Sequence, residues 1–155
     1  MIKHFKKGFT LIELLVVIGI LAILLAITLI AINPARQFAQ SNDTKRNSDV
    51  NTILNAINQY MADNKGAFPG GGVISTAVQT IASSAFNTLC TDVIPLYIAA
   101  LPVDPTVNNG TPVQAANCTA SWDTGYTVQQ ISTTDRRITI AAPGVEIQAS
   151  IEVTR

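Results

Sequence analysis

The pattern of apolar and polar positions begins with one long apolar segment. Residues 9–32 are apolar except for Thr10, Glu13, Gly19 and Thr28. At about 1.5 Å per residue, a helix of this length measures about 36 Å, which is enough to cross a hydrocarbon layer of about 30 Å. The pattern therefore predicts a helix that spans a membrane.

The charges beside this segment predict its orientation. Lys3, Lys6 and Lys7 precede it, and basic residues on one flank of a span keep that flank in the cytoplasm. We therefore expect a cytoplasmic N-terminus and an exported remainder. A cleaved secretory signal peptide is the alternative. The apolar segment is too long for such a peptide, and no A-x-A-like site follows it.

The next segment, residues 33–64, changes to the periodicity of an amphipathic helix. Asn33-Pro34 predicts a kink or a new first turn where the chain leaves the membrane, and Asn64-Lys65-Gly66 predicts the end of the helix. The apolar residues between these points form one helical stripe: Val50, Ile53, Leu54, Ile57, Tyr60 and Met61. Such a helix requires a partner on one face.

The remaining residues, 65–155, predict a globular head. Residues 125–132, 137–142 and 145–153 are rich in β-branched side chains, and the last of these segments alternates apolar and polar positions. Between Ile74 and Leu89 the apolar spacing fits a further helix instead. The fold class is therefore α+β: a long N-terminal α-helix, membrane-spanning in its first half, packed through its second half on a small antiparallel β-sheet head.

Composition and charge narrow the function classes. The chain has 155 residues, 48% of them hydrophobic and 13% charged, with a formal net charge of zero. Without residues 1–8, seven basic residues face ten acidic ones, a side-chain charge of −3. No basic surface for nucleic acid is therefore predicted. Neither a G-x-S-x-G motif nor a phosphate-binding loop is present, so an enzyme is not expected.

The two cysteines, Cys90 and Cys118, are both in the exported part. They predict one disulfide, worth about 3–4 kcal/mol in the chain-entropy model, with two buried free thiols as the alternative. We expect no metal and no cofactor, because neither cysteine has a C-x-x-C partner and the sole histidine is His4. Trp122 and Tyr126 are interpreted as core or interface residues of the head.

Glu13 is the unusual residue of the apolar segment, and its chemistry allows three interpretations. It can complement the positive end of the helix dipole in the first turn. It can be a single polar residue of an anchor, without a partner. It can also face a positive charge on another chain. Cleavage after Gly8 would create such a charge, an α-amine on Phe9, one helical turn before Glu13.

The sequence KKGFTLIELLVVIGILAILLAI, which starts at Lys6, resembles the N-terminus of type IV pilins and of the pseudopilins of type II secretion and DNA-uptake systems. The resemblance implies a leader peptide of residues 1–8 and a transmembrane and filament-core helix of residues 9–32. The amphipathic helix of residues 33–64 and the head of residues 65–155 are predicted from the pattern of the residues themselves. The resemblance also implies that prepilin peptidase cuts between Gly8 and Phe9 and methylates the Phe9 amine. Glu13 then pairs with the Phe9 amine of an adjacent subunit.

The resemblance further implies the partners and the location of the chain. The expected partners are further copies in a homo-oligomeric helical filament, prepilin peptidase, an inner-membrane assembly platform and an ATPase motor. The precursor would cross the inner membrane once, and the filament would be extracellular or periplasmic. A pseudopilin and a plain membrane anchor for a small binding domain are the alternatives. The residues LPVDP, 101–105, resemble a short motif of pilin and pseudopilin heads and predict a rigid, turn-forming strut.

Overall fold

The computed structural model describes residues 8–31, 33–71, 74–135 and 137–155 of the chain. The lysines of the N-terminal flank, most of the expected leader and Ile32 therefore lie outside the described residues. The contacts within the chain divide it into two compact units, Met1–Gln37 and Phe38–Arg155.

The first unit contains helix α1, Leu11–Ala31. Its sequence is dominated by leucine, isoleucine, valine and alanine and holds no proline, so nothing interrupts the backbone hydrogen bonds. The Thr28 hydroxyl is satisfied locally, because its Oγ1 donates to the Leu25 carbonyl at 2.9 Å. None of the residues in the most apolar stretch of Leu11–Ile30 is buried, and the helix is long and apolar enough to cross a membrane.

Helix α2, Pro34–Asp63, begins with the new first turn that Asn33-Pro34 predicted. Proline suits the first helical position because its missing N–H would have no intrahelical partner there. Asn33 caps this end: its Oδ1 accepts a hydrogen bond from the Arg36 amide at 3.3 Å. At the other end the Gly66 amide donates to the Met61 carbonyl at 2.7 Å, and Gly66 has a φ of 84°. This left-handed turn is the predicted stop.

The second unit holds a four-stranded antiparallel sheet in the order β1-β2-β3-β4. Its strands are β1 Gln79–Ala82, β2 Asp123–Gln130, β3 Ile138–Ala141 and β4 Glu152–Thr154. A short helix α3, Leu89–Val93, and the 3₁₀ turns Asn108–Gly110 and Ala115–Asn117 lie between β1 and β2. Pairing follows chain order, with Val128 opposite Ile140 and Ile140 opposite Val153.

The apolar stripe of α2 and the inner face of the sheet share one hydrophobic core. The fully or almost fully buried residues from these elements are Val50, Ile53, Leu54, Ile57, Tyr126, Val128, Ile138 and Ile140. Cys90 and Cys118 belong to the same core and are joined by a disulfide with their Cα atoms 5.3 Å apart. The α+β class is confirmed, with an amphipathic helix covering an antiparallel sheet.

Two local predictions differ from the structure. The helical interpretation of residues 74–89 is wrong, because Gln79–Ala82 is strand β1 and pairs with β2. Thr124 Oγ1 also donates to the Ile81 carbonyl at 2.8 Å, a contact 43 residues away in sequence. The strand expected over residues 145–153 is confirmed only for Glu152–Thr154. The residues before it, 143–149, form turns and bends instead, and the Asp43 side chain of α2 accepts hydrogen bonds from three of their amides.

Candidate functional sites at the start of the apolar helix and in the head

The first candidate site is the start of α1, where Thr10 and Glu13 bind each other. Glu13 Oε2 accepts hydrogen bonds from the Thr10 amide at 2.8 Å and from Thr10 Oγ1 at 2.7 Å. In return, the Glu13 amide donates to Thr10 Oγ1 at 3.3 Å. This reciprocal pair is a capping box, which satisfies two amides that the helix itself leaves unpaired. The T-x-x-E spacing in the sequence is its signature, and the interpretation of Glu13 had overlooked it.

The surroundings of Glu13 support only one of its three interpretations directly. The carboxylate lies in the first turn of α1, where a negative charge stabilises the positive end of the helix dipole. Among the residues that the structure describes, no lysine, arginine or histidine lies within 4.0 Å of it. A single chain thus uses the carboxylate as a helix cap and provides it with no counter-charge in the described part.

The residues on either side of the expected cleavage point are accessible. Gly8 and Phe9 precede α1, and the Phe9 side chain is 89% exposed. A Cβ atom placed on Gly8 would meet no other atom within 4 Å. The structure therefore places Gly8 and Phe9 just before α1 and Glu13 in its first turn.

The second candidate site is a charge network in the head, centred on Arg46 of α2. The Arg46 side chain is completely buried and forms a two-pronged ion pair with Asp104: Nε lies 2.7 Å from Oδ2, and Nη2 lies 3.1 Å from Oδ1. Its Nη1 donates to Asp43 Oδ1 at 2.9 Å and to Glu146 Oε2 at 3.1 Å. A buried guanidinium is tolerated because all of these acceptors are carboxyl oxygens within hydrogen-bond distance of it.

Asp43 connects α2 to the segment between β3 and β4. Its carboxylate accepts hydrogen bonds from three successive amides, those of Glu146 at 3.0 Å, Ile147 at 2.8 Å and Gln148 at 3.0 Å. Burial alone would raise the pKa of Asp43, but these amides and Arg46 outweigh it and hold the pKa at about 2. Because the three amides point toward Asp43, these residues cannot form the strand that their alternation predicted.

Asp104 is the aspartate of the LPVDP segment, and it is almost fully buried. Its burial acts to raise its pKa, but hydrogen bonds from Arg46 and from Thr106 lower it below the ordinary value. Gly144 leaves room for this pair, since a Cβ atom there would lie 3.1 Å from Asp104 Oδ2. The expected strut is therefore fastened to α2 by an ion pair.

A second acidic residue of α2, Asp49, continues the polar contacts. Its Oδ2 accepts the Tyr126 hydroxyl at 2.8 Å and the Lys45 ammonium at 2.9 Å. Burial, followed by the hydrogen bond to Asp49, raises the pKa of Tyr126 well above its ordinary value. Asp49 is thus mostly buried.

The network is suited to holding the head together. Each carboxylate of the Arg46 group is already bound to the guanidinium, which occupies the place that a metal ion would take. Within the described ranges, no group of three or more histidine, cysteine, aspartate or glutamate side chains is arranged to hold a metal ion. No local pattern in the chain predicts the network, because its partners come from residues 43–49, 104 and 146–148.

The comparison with protein families identifies the class of the N-terminal segment. Residues 3–29 match the prokaryotic N-terminal methylation motif, the prepilin-type signal of type IV pilins and pseudopilins. The motif supports a type IV pilin-like or pseudopilin precursor, a class of structural proteins. No curated protein matches the chain, and no solved structure does. The resemblance seen at Lys6–Ile27 is confirmed by this match, which covers the first part of the chain only.

Proposed function

We propose that the chain is a structural subunit of a type IV pilus-like extracellular filament. The observation that carries this proposal is α1, an apolar helix of which no residue in the most apolar stretch is buried and most of which lies within the segment matching the prepilin-type signal. A helix that is apolar all round needs lipid or other helices around it. The inner membrane meets this need in the precursor, and neighbouring subunits meet it in the homo-oligomeric helical filament.

Processing would occur at the accessible peptide bond before α1. Prepilin peptidase cuts after Gly8 and methylates the new amine of Phe9. The support for this step is the motif match together with the exposed position of both residues outside the helix. An inner-membrane assembly platform and an ATPase motor would then extract the single-pass chain, whose N-terminus faces the cytoplasm.

Assembly would use Glu13 as the partner of the Phe9 amine of an adjacent subunit. The capping box engages only Oε2 of Glu13, and among the described residues Oε1 has no hydrogen-bond partner. An amine has several donors and can bind this second oxygen without breaking the cap. In the low dielectric of a helix bundle an unpaired charge is strongly unfavourable, so the pair would select one axial offset between subunits.

The test is a set of matched variants expressed in a host that assembles the filament. Glu13→Ala and Glu13→Gln remove the charge, whereas Glu152→Ala removes an exposed charge of β4 and serves as the control. We expect filaments sheared from the surface to fall at least tenfold for both Glu13 variants and to stay unchanged for the control. The amount of precursor in the membrane should stay the same. Normal assembly of Glu13→Ala would contradict the pairing.

Imaging of the cell surface distinguishes the two kinds of assembly. The motif is shared by type IV pilins and pseudopilins. Long surface filaments that contain this chain support the proposal. A chain found only in short periplasmic assemblies indicates instead a pseudopilin of a type II secretion or DNA-uptake system.

A further inference from the structure

A cavity of about 450 Å³ lies in the head between the LPVDP segment and the start of β2. This size is within the range of small-ligand sites. About half of its lining residues are apolar: three valines, a proline, an alanine and Trp122. The polar ones are Asn108, Thr111, Asn117, Ser121 and Asp123. The cavity thus combines an apolar wall with several hydrogen-bonding side chains, and neither the charge network nor α1 contributes to it.

The polar side chains of this cavity have unused hydrogen-bonding capacity. Within the part of the chain that the structure describes, the side chains of Asn108, Thr111, Asn117 and Ser121 make no hydrogen bond, and all four residues are exposed. Two of them are amides and two are hydroxyls, so all four can both donate and accept. A ligand with donors and acceptors on the same atoms would match them.

Trp122 adds a second, independent observation. It is 6% exposed and lines the cavity, and its indole N–H is the one buried side-chain donor without an acceptor in the described residues. A buried donor without a partner is unfavourable by about 1–3 kcal/mol, so such groups are rare in folded proteins and often have a functional reason. An acceptor bound in the adjoining cavity, with a small adjustment of the ring, would provide one.

The charge of the cavity restricts the ligand further. Among the described residues that line it, Asp123 is the single charged one, and its Oδ1 already accepts the Gly125 amide at 2.8 Å. No lysine or arginine is among these described lining residues. An anionic ligand would meet an acidic side chain and no ion-pair partner in this lining, whereas a neutral one with many hydroxyl groups would meet amides, hydroxyls and an apolar surface. Hydroxyl groups donate and accept, as the four neutral side chains require.

We propose that this cavity binds a neutral carbohydrate, one or two sugar units in size, through Asn108 and Asn117, with the Trp122 indole in its wall. Such a site would allow the head of the subunit to bind a ligand. The site is independent of the role of Glu13 in assembly.

The experiment uses Trp122 as the reporter, because it is the only tryptophan of the chain. The full chain, in a detergent without a sugar headgroup, is titrated with glucose, galactose, mannose, N-acetylglucosamine and N-acetylgalactosamine. Glucuronate serves as the anionic counterpart of glucose. We expect at least one neutral sugar to shift the single indole N–H resonance and to change the fluorescence in a saturable way, with glucuronate binding at least fivefold more weakly than glucose.

Matched variants link the signal to the cavity. Asn108→Ala and Asn117→Ala should each raise the Kd at least fivefold, whereas Asn87→Ala, an exposed asparagine outside the cavity, should leave it unchanged. Unaltered circular dichroism excludes misfolding as the cause of a higher Kd. The proposal is overturned if no sugar up to 100 mM shifts the indole resonance, or if all three variants bind alike. A response to an acetylated tripeptide but to none of the sugars would also overturn it and would indicate a peptide site.

Discussion

The two units of the chain place charge and apolar surface in opposite ways. In α1 the leucines, isoleucines and valines point outward along the whole helix, and the single acid is bound to its own helix end. In the head most large apolar side chains are inside, and a completely buried arginine is surrounded by three carboxylates. The head contains partners for the charge of this arginine, whereas the described part of α1 contains none for its apolar surface.

This difference shows where the stability of each unit originates. A buried ion pair contributes to a fold only when every charge has a partner, and the head supplies those partners from three distant segments. An isolated apolar helix has no apolar surface of its own chain to pack against, so its stability depends on the lipid or the helices around it. Changes inside the head should therefore alter its folding, while changes in α1 should alter insertion and assembly.

The largest expected effect is the removal of the central arginine. Arg46→Leu leaves Asp43 and Asp104 buried without their counter-charge, and we expect it to lower the free energy of unfolding of the head by about 3–5 kcal/mol. Arg137→Leu removes an arginine whose side chain is 62% exposed, and it should lower the free energy of unfolding by less than about 1 kcal/mol. Urea unfolding followed by Trp122 fluorescence measures both.

A second measurement for the same two variants is the amount of precursor in the membrane fraction. If the two units are stabilised separately, Arg46→Leu should leave membrane insertion of the precursor unchanged. Equal unfolding free energies for the Arg46 and Arg137 variants would show that the buried network does not stabilise the head.

A smaller effect is expected from two tyrosines that both donate to an aspartate. The Tyr126 hydroxyl lies 2.8 Å from Asp49 Oδ2 in the interior, and the Tyr97 hydroxyl lies 3.0 Å from Asp63 Oδ2 at the surface. Tyr126→Phe should lower the free energy of unfolding by about 1.5–3 kcal/mol, because it removes a hydrogen bond to a buried charge. Tyr97→Phe should change it by less than about 1 kcal/mol. Similar values for both variants would contradict the importance of burial.

The smallest expected effect is the loss of unfolding free energy of the head at low pH. The folded-state pKa of Asp43 is about 2 and its ordinary value is 3.8, so the unfolded chain binds this proton first as the pH falls. The stabilisation is fully present above about pH 4 and is lost progressively toward about pH 2. Asp43→Asn should reduce this dependence. Unfolding free energies measured from about pH 5 to about pH 2 check it, and a flat profile in the wild type would contradict the assignment.

The sequence predicted those elements whose pattern is local. The apolar run of α1, the stripe of α2 and the strands around Tyr126 and Ile140 each follow from a period that nearby residues set. At residues 79–82 the pairing with β2 outweighed an apparent helical spacing. The amides of residues 146–148 donate to the carboxylate of Asp43, more than 100 residues away, and therefore do not pair in the strand that the alternation predicted.

The candidate sites follow the same division. Gly8, Phe9 and Glu13 are adjacent in sequence, so a local motif could indicate them, and a family model matches the segment that contains them. Arg46 and Asp104 are separated by 58 residues, and only the folded chain brings them together. Local spacing could not predict that pair, because Arg46 lies in α2 and Asp104 lies in the segment between α3 and β2.

The most direct test of the central claim is the N-terminal sequence and intact mass of the chain purified from cells that contain an active prepilin peptidase. We predict a chain that begins at Phe9, with one methyl group on its α-amine. A chain that still begins at Met1, or that begins at any residue other than Phe9, would contradict the prepilin-type processing on which the proposed filament depends.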